Sequence, residues 1–131
     1  MVELKGTEKQ VAWAKAIREW VKKICDEVLE NGHIVKGFND DRKAAFAAAI
    51  DILMEKDQAK FWIESFGDTV KPRELEKLDG KELNDRFIFA GQRIMEVMQK
   101  EVVPVMKERG IKGTNGIAIL QKYFYKKDKE V

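Results

Sequence analysis

Cysteine, histidine and serine each occur once in this chain of 131 residues, as Cys25, His33 and Ser65, and proline occurs twice. A lone cysteine cannot close an internal disulfide, which fits a reducing cytoplasm. A lone histidine excludes imidazole dyads and multi-histidine metal sites. Long apolar runs are also missing. The longest, Ala44 to Ile50, falls well short of the ~20 residues that a membrane-spanning helix needs. The first residues, Met1 to Gly6, hold no apolar core of a signal peptide, so no secretory signal is expected. What is present is a composition of 44% apolar and 37% charged residues, too apolar for disorder and suited to one folded domain.

Net charge is only +2, too small by itself to imply a nucleic-acid or membrane partner. Its distribution says more. Residues 107–131 carry seven Lys and Arg against three Asp and Glu, so the excess positive charge lies in the last 25 residues.

Helix signals dominate. Thr7 and Gln10 spell a capping box, and behind them Trp13, Ile17, Trp20, Val21, Ile24 and Val28 recur at steps of three and four. This predicts a helix over about 8–30, ended by a left-handed stop at Asn31-Gly32. The connector 33–38 reads as an extended lid. Asn39, Asp40 and Asp41 then suit the start of a second helix, to about Glu55, apolar nearly all round and therefore central. Asp57 is expected to cap a short helix, 59–66, stopped by Gly67, and Pro72 opens another that ends near Leu78. A long helix over 81–109 should be kinked by Pro104, which lacks an amide donor, and ended by Gly110. A final helix runs from about Gly116 to Tyr125, with 126–131 a frayed tail. The prediction is a single all-α domain over 1–131 with five or six helices, and Trp13, Trp20 and Trp62 largely buried.

Two segments carry a resemblance. The opening Leu4 to Arg18 (LKGTEKQVAWAKAIR) and the later Ala59 to Glu64 (AKFWIE) are similar to motifs of short, largely uncharacterised proteins of Firmicutes, their phages and mobile elements. Glu64 stands where that group usually has Asp, and Ser65-Phe66 where Asn-Arg often follows. The resemblance implies a phage or mobile-element setting and no particular reaction. Physically, the opening reads as a capped helix with Trp13 and Ile17 anchored in the core.

No catalytic constellation or recognised cofactor motif emerges. His33 follows a helix end and reads as solvated. Cys25 lies near the C-terminal end of the first helix, where the dipole disfavours a thiolate. Asp40 and Asp41 read as capping residues, since no calcium-loop spacing surrounds them. The most suggestive stretch is the glycine-rich loop 109–116. Its Arg109, Lys112, Gly113 and Gly116 could hold phosphate at a helix start, although it is no Walker A sequence. Lys122, Lys126 and Lys127 extend this basic surface, and Tyr123 or Tyr125 could stack on a base. The expectation is a cytoplasmic, non-enzymatic binding protein that requires no cofactor or metal. It binds nucleic acid through its C-terminal region or, alternatively, blocks a host protein complex as an anti-defence (anti-CRISPR-like) inhibitor or adaptor.

Overall fold

The computed structural model describes residues 2–130. Its elements in chain order are α1 (Glu8–Asn31), a 3₁₀ turn (Gly32–Ile34), α2 (Asp40–Met54), α3 (Ala59–Phe66), α4 (Pro72–Leu75), α5 (Gly80–Glu101), α6 (Val103–Glu108), a second 3₁₀ turn (Thr114–Ala118) and α7 (Ile119–Glu130). The protein is all-α. Among the described residues extended pairing is limited to one bridge, between Lys5 and Gln58.

The capping box starts α1. The Thr7 hydroxyl accepts from the Gln10 amide at 3.2 Å, and the Gln10 side chain accepts from the Thr7 amide at 3.0 Å. Ala14, Ile17, Val21, Ile24, Cys25 and Val28 form the buried stripe of the helix. Each step of one residue turns about 100° around a helix axis, so a seam through Ala14 leaves Trp13 beside it. Trp13 is accordingly 48% exposed, which corrects the expected core role, and Trp20 is half-buried.

α3 lies along α1, and the segment before α1 fastens the two. The Lys5 amide donates to the Asp57 carbonyl at 2.8 Å and the Ala59 amide to the Lys5 carbonyl at 2.9 Å. The side chains reinforce this, with Lys5 Nζ 3.2 Å from the Asp57 carboxylate. That hydrogen bond, then the ammonium charge, holds the Asp57 carboxyl below its ordinary range. The tie is therefore intact at neutral pH and is lost as acidification protonates Asp57. Asp57 does not cap α3: Gln58 occupies the N-cap, without a side-chain bond. Trp62, wholly buried, donates its indole N–H to the Lys56 carbonyl at 3.0 Å and packs against Phe61 and Phe66. Further along α1, the buried Arg18 donates to the Val2 carbonyl at 2.7 Å, and burial lowers the pKa of its guanidinium.

Other boundaries follow the sequence with local exceptions. Asn39 caps α2 by accepting from the Arg42 amide at 3.0 Å. Gly32 is right-handed, at φ −62°, not the left-handed stop expected. A Cβ there would lie 2.6 Å from the Phe38 ring, so glycine serves close packing. Residues 32–34 form a 3₁₀ turn where an extended lid was expected. The long helix breaks at Val102, and Pro104 falls in the first turn of α6. Proline cannot donate to the Lys100 carbonyl and its ring crowds that group, so the expected kink becomes a division into two helices. The chain from 126 on is helical as far as Glu130 instead of frayed, with Lys127 tied to Glu27 of α1 at 2.8 Å. Val131 lies outside the described residues.

Two glycine contacts set the spacing of the remaining helices. Gly91 of α5 faces α7 so closely that a Cβ would sit 2.8 Å from the Leu120 carbonyl oxygen. Gly116 sits against α2, where a Cβ would come within 2.6 Å of the Arg42 carbonyl oxygen. Gly116→Ala should therefore destabilise the fold by about 1–3 kcal/mol, the usual range for overpacking. Trp62→Ala should cost about 3–5 kcal/mol. Urea unfolding measures both, and losses below 1 kcal/mol would contradict these packing assignments.

Candidate functional site

The structure divides the basic C-terminal residues. Arg109 faces Glu55, Nη2 to Oε2 3.4 Å, and Lys127 pairs with Glu27. These two cations have carboxylates beside them and do not form an open phosphate cradle. Tyr123 is only 3% exposed and lies edge-on to Phe124 with ring centroids 4.9 Å apart. Burial first, then the charge of the hydrogen-bonded Glu27, pushes its phenol up to about 12. It cannot stack on a base, which corrects that assignment. Tyr125, half exposed, can.

The glycine-rich loop is a packing device. Gly113 takes a left-handed conformation, φ +80°, with its Cα against Asp41 and Ala45 of α2. Gly116 is buried, and its amide already donates to the Gly113 carbonyl at 2.9 Å. The Gly116 amide is thus already engaged within the loop, whereas Gly113 borders the same crevice as Lys112. Close approach of the loop to α2 explains both better, with Ala45 supplying room.

Lys112, Lys122 and Lys126 remain exposed. Lys112 shares a crevice of about 500 Å³ with Arg42 and Asn115, and Asp41 stands in the same crevice. Lys122 meets Lys36, Arg42 and Asn115 around an adjoining, smaller one. The fold thus joins two of the expected residues to Lys36 and Arg42, which sequence spacing did not connect to them. Elsewhere, His33 is exposed and Cys25 wholly buried, its thiol pushed far up by burial. Native Cys25 should resist thiol reagents until the protein unfolds; rapid alkylation of the folded chain would contradict its burial. Among the described residues no three His, Cys, Asp or Glu side chains come together as a metal site, and no helix is long and apolar enough to cross a membrane.

Another surface feature involves the start of the sequence. Lys9, Ala12, Trp13 and Ala16 recur on α1 at intervals that place them on one face, outside the core stripe. With Gly67 and Pro72 they border a groove of about 620 Å³, whose remaining edge is Lys71 and Arg73. Gly67 is right-handed, and a Cβ there would lie 2.5 Å from the Ile63 carbonyl oxygen and 3.3 Å from the Trp13 ring. The indole thus lies over the end of α3. Sequence reasoning missed this site because Trp13 fits the apolar periodicity almost as well as Ala14. The usable signal was the second series Lys9-Ala12-Trp13-Ala16, too small and too short to read as a core.

No protein-family model, curated protein or solved structure matches this chain.

Proposed function

We propose that this chain is a non-enzymatic binding protein that docks a partner protein through the Trp13 groove. The observation that carries the reading is the half-exposed indole of Trp13, set among small apolar residues and edged by cations. Protein interfaces combine an apolar centre with a polar rim, and tryptophan and arginine are their most frequent energetic anchors. Burying such an indole is favourable and requires no reacting group. The resemblance of the two motif segments supports a phage or mobile-element setting, and blocking of a host defence complex is the role we assign in it. The single, buried cysteine supports a cytoplasmic location.

Trp13→Ala should lower the melting temperature far less than Trp62→Ala and leave the chain folded, because about half of the indole already faces solvent. The same variant should lose a protein that the native chain retains from bacterial lysate after nuclease treatment. Retention that is unchanged in Trp13→Ala, or abolished by nuclease, would overturn the reading.

The cluster of Lys36, Arg42, Lys112 and Lys122 favours a second reading, a nucleic-acid contact that draws on the C-terminal cations. It predicts binding to DNA or RNA at ~50 mM salt that falls steeply as salt rises. Lys112→Glu with Lys122→Glu should abolish that binding across unrelated sequences. No binding to single- or double-stranded probes, read by fluorescence anisotropy, removes it.

A further inference from the structure

Resting on the docking reading above, we infer that the Trp13 groove takes an acidic protein segment, one that presents a large apolar side chain between aspartate or glutamate residues. The apolar part of the site dictates the anchor. Ala12 and Ala16 lie one helical turn apart in the row next to Lys9 and Trp13, and small side chains there leave space for a partner to approach α1. A large aliphatic or aromatic side chain laid against the indole would be removed from water together with it.

The rim dictates the charge. Lys9, Lys71 and Arg73 border the groove, and no carboxylate does. Two acids near them in sequence are turned elsewhere. Asp68 pairs with Arg93 of α5 at 2.8 Å, and Glu74 pairs with Arg86, also of α5. None of the three rim cations has an ion-pair partner among the described residues. This separates the groove from the C-terminal surface, where Arg109 and Lys127 have Glu55 and Glu27 beside them. Three uncompensated cations around an apolar centre attract an acidic partner and repel a basic one, and they speed its arrival by long-range attraction. A nucleic-acid strand also carries negative charge, but it prefers a continuous cationic track and successive stacking rings. Here one aromatic side chain stands among alanines, glycine and proline, which favours a peptide.

The test is a selection from random peptides of roughly 15 residues, about four helical turns, against the full chain, with Trp13→Ala as the counter-target. Selected peptides and a single-stranded oligonucleotide of similar length, each carrying a dye, are then titrated by fluorescence anisotropy. Enriched peptides should carry an aromatic or large aliphatic residue flanked by acids. Trp13→Ala should weaken them by about thirtyfold or more, as at other aromatic hot spots. The pair Lys71→Glu and Arg73→Glu should weaken them by about tenfold, since each exposed pair contributes modestly, while melting stays unchanged. Added salt should weaken the native chain more than this double variant.

Peptides that depend on Trp13 but are neutral or basic would overturn the acidic assignment and leave the docking groove standing. The absence of any Trp13-dependent peptide, or preferential binding of the oligonucleotide, would overturn both.

Discussion

The fixing of α3 along α1 is the constraint on which the rest of this structure depends. Trp62 anchors α3 in the core. Its ring is withdrawn from water between the aromatic side chains of its own helix, and its one polar atom is satisfied by the Lys56 carbonyl. Burying an indole without that hydrogen bond would cost much of what the ring gains. The exchange of backbone hydrogen bonds between Lys5 and the start of α3 then fixes where the opening segment runs. The core stripe of α1 runs through Ala14 and Ile17, and Trp13 lies on its flank.

Much of this was legible in the sequence because it is local chemistry. Capping depends on residues three apart, so Thr7 with Gln10 and Asn39 before its helix located two helix starts directly. Pro104 could only interrupt a helix. Gly110 did end the chain's sixth helix in a left-handed conformation, at φ +71°. What could not be read is pairing across the fold. Gly32, Gly67, Gly113 and Gly116 look alike as turn residues, yet Gly32 is needed chiefly because the Phe38 ring, and Gly116 because the backbone of α2, comes too close for a side chain. Distinguishing those uses requires the partner, which lies far away in sequence for Gly116. The same limit affected Asp57, whose carboxylate found Lys5 instead of a helix start.

Charge was legible as a total and misleading as a site. The excess of cations after residue 106 suggested one basic surface, but folding brings Glu55 to Arg109 and Glu27 to Lys127. Exposed pairs of this kind add little stability. Their larger effect is to reduce the local potential, so that the residues still suited to an anion are regrouped around Arg42 and Asn115. The reverse happens at the start of the chain, whose composition is nearly neutral. There Arg86 and Arg93 draw Glu74 and Asp68 toward α5, and the cations beside the Trp13 groove are left uncompensated. A neutral segment becomes a cationic surface, and a cationic segment becomes partly neutral.

The central claim is that this fold separates its tryptophans, burying Trp62 and leaving Trp13 half exposed to solvent. Hydroxyl-radical footprinting read by mass spectrometry tests it without any partner. In the native protein the account predicts that Trp13 is oxidised fastest, Trp20 more slowly, and Trp62 only when the protein unfolds. Protection of Trp13 to the same degree as Trp62 in the folded chain would contradict it.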